Sequence, residues 1–247
     1  MNPDLDNTDN PCSAPTTTGS PGFRITTGWT RPHAATVDAF TGVSSSQTAD
    51  AMHRMGGIDP DIHRMWPAPP FIGTALPVAT RSADNLLIHH AIRVAQPGDV
   101  LVVNTQDNRH NAGFGELLGR AALAVGIVGV VIDGVVRDID QLADLGLPIY
   151  ARGTSPTACD KQGPGELGRP IACGGVVVAP GDLFVADHDG VTVVPTLDIA
   201  HVAQRARQIV DRERQRVIDI DAGHLVRPEI ASTLHAAGLN VEPRTPA

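Results

Sequence analysis

Residues 113–138, GFGELLGRAALAVGIVGVVIDGVVRD, set a glycine-rich entry, an amphipathic helix, an apolar strand and a polar turn in unbroken succession. Few folds outside the α/β class accommodate that series. Glu116 falls near the helix start, where backbone N–H groups lack intrahelical partners and the helix dipole favours an anion. The β-branched run Ile127–Ile132 reads as a buried strand that delivers Arg137 and Asp138 just past its carboxyl end, where open α/β sheets place their chemistry. The set combines an anion seat, a guanidinium fork for a carboxylate or carbonyl, and two carboxylates able to hold a divalent ion or move protons. It is the candidate active site.

Composition narrows the alternatives. The chain has 247 residues, 42% hydrophobic and only 3% aromatic, so a core packed from Gly, Ala and Val in one α/β domain is expected. A formal net charge of −8 argues against non-specific binding to nucleic acid or to an anionic membrane. No apolar run reaches membrane-spanning length, and the N-terminus has neither a basic region nor an apolar h-region. Cys12, Cys159 and Cys173 are far apart and odd in number, which indicates neither a disulfide framework nor a CxxC metal site and suits a reducing cytoplasm.

Along the chain, residues 1–22 are polar and proline-rich and are expected to form a disordered tail or a strap over a neighbouring subunit. A domain is expected over 23–240, with a polar tail at 241–247. Two short helices are predicted on either side of Gly42, the second over Gln47–Met55. FIGTALPVAT and DVLVVNT read as strands. Between them lies a helix capped by Ser82 or Asp84, with Leu86, Leu87, His90, Ala91 and Val94 as its apolar stripe. His89 and His90 have no i,i+4 partner and read as packing or surface residues. From the loop QDNRHNAG, Arg109 and His110 are within possible reach of a substrate. After Asp138 a short helix, IDQLADLG, leads to the strand LPIYARG. GPGELGRP reads as a connection, and HDG within DLFVADHDGVTVVP reads as a hairpin turn, which makes His188 and Asp189 structural. A long helix from Thr196 and a last helix, PEIASTLHAAGL, complete the chain.

Several chemistries lack their residues. Gly113-x-Gly115 is followed by Gly119, one position too late for a dinucleotide fingerprint. There is no phosphate loop and no GxSxG elbow. The single lysine, Lys161, lies in a loop-like segment and reads as a surface residue.

Glu116, twenty intervening residues, then Arg137 and Asp138 resemble the signature of the RraA-like proteins, which include class II 4-hydroxy-4-methyl-2-oxoglutarate and 4-carboxy-4-hydroxy-2-oxoadipate aldolases. The family acid at this place is usually Asp. The resemblance runs over roughly residues 34–240 and includes GDVLVV, VVIDGVVRD and ADHDGVTVVP. It implies a layered, swivelling β/β/α single domain with helices flanking a central β-layer and a helical C-terminus. It also implies a homotrimer or a homohexamer with sites at subunit interfaces.

The activity implied is cleavage of a 4-hydroxy-2-oxo acid to pyruvate and a second oxo acid, with oxaloacetate decarboxylation through the same enolate. The name-giving members imply an alternative, non-enzymatic regulation of a ribonuclease by protein binding, but they depart from Arg-Asp at the metal position. Asp138 is expected to hold Mg²⁺ or Mn²⁺ that is otherwise bound by water; zinc is excluded by the lack of a clustered His/Cys set. The substrate carboxylate is expected on the amides of Gly115, Glu116, Leu117 and Leu118, with Arg137 on the keto oxygen and Glu116 on a protonating water. Asp50 occupies the place of an acid in related aldolases and reads either as a second base or as a solvated helix residue. Arg152 stands near a family lysine and reads either as a cation for a dicarboxylate or as one half of an ion pair. Asp211 or Glu213 is placed to match an acid that reaches the site from an adjacent subunit.

Overall fold

A computed structural model describes residues 14–239 of the chain. In chain order the elements are β1 (Thr16–Ser20), β2 (Phe23–Thr27), α1 (Ala34–Asp38), α2 (Ser45–Ala51), β3 (His63–Arg64), β4 (Phe71–Thr80), α3 (Leu86–Val94), β5 (Asp99–Asn104), α4 (Glu116–Ala124), β6 (Gly129–Asp133), α5 (Ile139–Asp144), β7 (Ile149–Ala151), β8 (Gly165–Leu167), β9 (Ile171–Cys173), β10 (Val176–Val178), β11 (Leu183–Ala186), β12 (Val191–Val194), α6 (Ile199–Asp221) and α7 (Pro228–Ala236).

The centre is a parallel sheet, β4-β5-β6-β7, whose strands are linked by α3, α4 and α5. Its residues alternate between two apolar layers, as the two-residue period of a strand requires. Leu76, Val78, Leu101, Val103, Val130 and Ile132 face the layer that holds Leu87, Ile88, Leu118, Ala122 and Leu142 of the helices. Ala75, Val100, Val102 and Val131 face the opposite layer with Ile171, Cys173, Val178, Phe184 and Val193 of the later strands. The α/β class with a central β-layer and flanking helices is therefore as expected from the sequence.

Strand β4 does more than its neighbours, because one edge pairs with β5 while the other pairs first with β11 and then with β8. Pro77 sits where the partner on that second edge changes: its carbonyl accepts from Gly168 N–H, and its missing N–H falls at the gap between β11 and β8. A proline is thus accommodated inside a central strand with no ladder bond lost.

Two expectations are corrected. The tail predicted over 1–22 contains β1, which pairs antiparallel with β2 from Thr16↔Thr27 to Ser20↔Phe23; residues 1–13 lie outside the described residues. The GPGELGRP connection contains β8, a strand too short to show a period. The α/β domain with its helical C-terminus is as expected, and the chain divides into two compact units between Ala206 and Arg207. In the second unit Val217, Ile218, Ile220, Leu225 and Val226 are exposed, so it lacks the apolar burial of the sheet unit. Residues 240–247, including the expected tail at 241–247, lie outside the described residues.

Smaller shifts have local causes. The second predicted helix starts earlier, at Ser45, because Ser44 and Gln47 form a capping box, and it ends before His53 and Arg54, both at positive φ. The buried face of α3 is Leu87, Ile88, Ala91 and Ile92, with His90 half-buried.

Asp99, at the start of β5, is buried and accepts both prongs of the Arg31 guanidinium at 2.8 Å, and the Gln96 N–H at 2.8 Å. Arg31 in turn stacks over Trp29, 4.9 Å from the ring centroid. This bidentate pair ties the segment after β2 to the parallel sheet. Asp99→Ala is expected to cost about 3 kcal/mol in urea unfolding by leaving Arg31 and an amide unpaired, whereas Arg31→Lys, which keeps charge but loses the fork, costs less.

Candidate active site

The site is built where the parallel strands end. After β6, Gly134 passes so close to Thr105 that a Cβ on it would lie 2.3 Å from Thr105 Oγ1, while that hydroxyl donates to the Asp133 carbonyl at 2.7 Å. Residues 135–137 then run between two loop segments. Gly113 N–H donates to the Val135 carbonyl and Arg137 N–H to the Phe114 carbonyl on one side; Val136 N–H donates to the Gly153 carbonyl and Ser155 N–H to the Val136 carbonyl on the other. Val136 and Phe114 are buried beneath, which anchors this three-segment extension to the core.

Asp138 closes the turn in the left-handed region, at φ 59 and ψ 46, a conformation that costs a side-chain-bearing residue roughly 1–2 kcal/mol and that Asp tolerates better than most. Its carbonyl accepts from Leu142 N–H and starts α5. Its carboxylate turns the other way, to the start of α4, where Oδ2 accepts the Glu116 N–H at 3.0 Å. Gly115 permits this approach: a Cβ there would lie 2.5 Å from Asp138 Oδ2 and 3.1 Å from Arg137 Cγ. The glycine read as part of the entry is therefore a contact requirement of the Arg-Asp pair.

The sequence-derived trio is thus brought together, with modified assignments. Arg137 Nε lies 3.5 Å from Asp138 Oδ2, and both line a cavity of about 350 Å³ with Ile139, Thr154, Ser155 and Pro156. Glu116 directs its carboxylate one turn along α4 to Arg120, at 2.9 Å from Nε and 2.7 Å from Nη2. Of the four amides expected to seat an anion, that of Glu116 is occupied by Asp138, whereas those of Gly115, Leu117 and Leu118 have no protein partner among the described residues. Gly119, which spoils the dinucleotide pattern, is a packing glycine: a Cβ on it would lie 2.5 Å from Leu142 Cδ2 of α5.

Among the described residues there is no group of three or more His, Cys, Asp or Glu placed to hold a metal. Asp138 Oδ1 and Glu116 Oε2 are the carboxylate oxygens of the trio with no hydrogen bond or ion pair among the described residues, and of these two residues only Asp138 lines the cavity. A single hard oxygen beside an open cavity fits an ion that keeps most of its water, as Mg²⁺ and Mn²⁺ do, and does not fit zinc.

Other candidates stand elsewhere. Asp50 is on the exposed face of α2, which packs against β11 and β12, and among the described residues no hydrogen bond or ion pair joins it to Glu116, Arg137 or Asp138. Arg109 pairs with Asp107 at 2.6 Å, and the hydrogen bond from its side chain holds that carboxyl below its usual range. Arg152 is nearly buried, with its guanidinium on Asp133 at 2.5 Å and on Asp59 at 2.9 Å. Asp61 N–H and then Arg152 hold the Asp59 carboxyl down, and the bond to Asp133 raises the guanidinium. The ion-pair reading of Arg152 therefore prevails. Asp211 and Glu213 belong to the second unit, where Asp211 pairs with Arg214 at 3.4 Å. His188 and Asp189 form the β11–β12 turn as expected, with Asp187 N–H donating to the Gly190 carbonyl.

Parallel strands ending on an acid-plus-Arg-Asp cluster define a class of α/β proteins, and comparison with known proteins gives the family. The chain belongs to the RraA-like family, whose model, described as Aldolase/RraA, matches residues 45–193. A Halalkalibacterium halodurans protein named "Putative 4-hydroxy-4-methyl-2-oxoglutarate aldolase" is 34% identical over 201 residues, 81% of this chain and 95% of its own length. Among solved structures, an uncharacterized protein from Pseudomonas syringae pv. tomato superposes with a TM-score of 0.71 at 28% identity, covering 79% of this chain and 96% of that one. A Streptomyces coelicolor protein described as an unusual member of the RNase ES inhibitor RraA family gives 0.69 at 30% identity, covering 76% and 98%. Among the described residues, no helix is long and apolar enough to cross a membrane.

Sequence reading missed the residues that hold the loops in place. Asp84 is buried and accepts from the N–H groups of Leu86, Gln162 and Gly163 at 2.8 to 2.9 Å, with Arg81 beside it. The neighbouring Asn85 donates to the Gly113 carbonyl at 3.1 Å. A capping position before α3 was the only signal, and it pointed to the helix rather than to the loops. Burial pushes the Asp84 carboxyl up, but the three N–H donors and Arg81 outweigh it and hold it below 3.8. Its contribution to stability is therefore present above 3.8 and lost as pH falls through the lower folded-state value. Asp84→Asn is expected to lose about 2 kcal/mol at pH 7 in urea unfolding, with the gap from the unmodified chain closing only below pH 3.8.

Proposed function

We propose that the chain is a divalent-metal-dependent lyase, a class II aldolase that cleaves a 4-hydroxy-2-oxo acid such as 4-hydroxy-4-methyl-2-oxoglutarate to pyruvate and a second oxo acid, and that it also decarboxylates oxaloacetate. The observation that carries this reading is the seating of Arg137 and Asp138 against the α4 start, where the Leu117 and Leu118 amides remain open. The name borne by the Halalkalibacterium halodurans relative supports the same chemistry.

Asp138 would hold Mg²⁺ or Mn²⁺ through its remaining oxygen, and the ion would supply Lewis-acid polarisation of the 2-oxo group. The Leu117 and Leu118 N–H groups bind the substrate's 2-oxo-acid carboxylate, which also meets the positive end of the helix dipole. The C3–C4 bond then breaks, its electron pair passes to C3 and the keto oxygen, and the C4 hydroxyl proton leaves to a base. Arg137 donates to the keto oxygen as negative charge grows there, the kind of contact that stabilises a transition state more than a ground state. Glu116 holds the water that returns a proton to C3, giving pyruvate. We assign the role of that base to Asp50 or to an acid of an adjacent copy in a homotrimer or a homohexamer.

Arg137→Ala is expected to lower kcat by roughly 10²–10³-fold, and Asp138→Ala to abolish the Mg²⁺ response. Glu116→Gln is expected to slow exchange of the pyruvate methyl protons in deuterated water by about 10²-fold. Full activity after exhaustive chelation would remove the metal from the scheme, and wild-type exchange in Glu116→Gln would leave Glu116 as a helix-start residue only. Light scattering should give three or six times the chain mass of 25.9 kDa; a monomer would refute the shared site.

A second reading, regulation of a ribonuclease by protein binding, is favoured by the inhibitor description of the Streptomyces coelicolor structure. Inhibition of a purified ribonuclease by the chain, undiminished by Arg137→Ala and with no pyruvate release from any 2-oxo acid, would establish it instead.

A further inference from the structure

We propose that a second cavity, which shares no residue with the one beside Arg137 and Asp138, binds a small zwitterion: an α-amino acid with an aliphatic side chain. The cavity has a volume of about 270 Å³ and lies between α2, β3, Tyr150 of β7 and the β11–β12 turn. Arg64 and Asp189 line it together with the apolar side chains of Ile58, Ile62 and Val191. Its walls are tied to one another. Asp187 accepts from the Ser45 N–H at 2.7 Å and from the Ser45 hydroxyl at 2.6 Å, and the Tyr150 hydroxyl donates to the Asp187 carbonyl. Thr192 Oγ1 donates to the Ser45 carbonyl at 2.9 Å. The cavity is therefore formed before a ligand arrives, which spares the cost of ordering it.

Two opposite charges stand in this cavity without pairing. Arg64 is half-buried, and its one hydrogen bond among the described residues runs from Nη1 to the Ala68 carbonyl at 3.1 Å. Arg31, Arg81 and Arg152, by contrast, each hold a carboxylate. The Asp189 carboxylate has no hydrogen bond or ion pair among the described residues; its backbone N–H alone is engaged, on Asp187 Oδ1 at 3.0 Å. A molecule that carries a carboxylate and an ammonium answers both charges, with the planar guanidinium fork taking the carboxylate. A simple anion meets Arg64 but also faces Asp189, and a simple amine meets the reverse. The volume is at the small end for ligand cavities, and the apolar wall receives an aliphatic side chain.

Calorimetric titration of the full chain compares L-leucine with 4-methylpentanoate, which lacks the ammonium, and with 3-methylbutylamine, which lacks the carboxylate. The unmodified chain should bind leucine at least about tenfold more tightly than either analogue. R64Q and D189N should each weaken leucine by about tenfold or more, R64Q without weakening 3-methylbutylamine and D189N without weakening 4-methylpentanoate. R137A should bind leucine as the unmodified chain does, because Arg137 lines the other cavity. Three results would overturn the assignment. The first is no saturation by leucine at millimolar concentration. The second is 4-methylpentanoate binding as tightly as leucine, which would leave only an anion site of Arg64 with His63 and His188. The third is loss of leucine binding in R137A, which would put the ligand in the other cavity. The comparison of the three ligands on the unmodified chain stands even if a variant does not fold.

Discussion

The hydrogen bond from Glu116 N–H to Asp138 Oδ2 is the interaction on which the site depends. It joins the start of one helix to the turn before the next, across 22 residues of chain. It forms only because Gly115 has no Cβ to occupy the same space and because Asp138 adopts a left-handed conformation that points its carboxylate away from its own helix. A carboxylate placed by a partner helix N-terminus is held by dipole and donor together. Arg137, one residue before, is thereby set at the cavity wall.

That geometry can be strict because the sheet beneath it is. β4 through β7 are buried on both faces, and the turn after β6 is gripped by Thr105, Phe114 and Gly153. The turn that carries Arg137 and Asp138 is hydrogen-bonded to loop segments on both sides, which limits how far the two side chains can drift. Asp84, Asp99 and Asp133 repeat one device around this frame: a shielded carboxylate that collects backbone N–H groups or an arginine and thereby pins a loop. The loops are thus held by charge-assisted bonds in addition to the apolar packing of residues such as Phe114 and Val136.

Charge pairing also decides which arginines are available for chemistry. Arg152, which the resemblance offered as a cation for a dicarboxylate, is taken up by Asp133 and Asp59. Arg64, which no pattern singled out, donates to the Ala68 carbonyl and has no carboxylate partner among the described residues. A family position identifies where a cation sits in the chain, but availability depends on which carboxylates surround it, and those come from distant segments.

The sequence by itself determined the α/β class, the β4, β5 and β6 strands, the helix that starts at Glu116 and the Arg137–Asp138 turn. All are local: a two-residue or 3.6-residue period, a run of β-branched residues, a glycine-rich entry and an acid at fixed spacing are each complete within about 26 residues. What the tertiary structure decided is non-local. The three-residue β8 is a strand only because β2 and β4 offer it edges, and Asp84 pins a loop almost eighty residues away. The orientation of the Asp138 carboxylate belongs to the same class, since its partner amide and the glycine that admits it lie on another element, and no period or propensity in the chain records that contact.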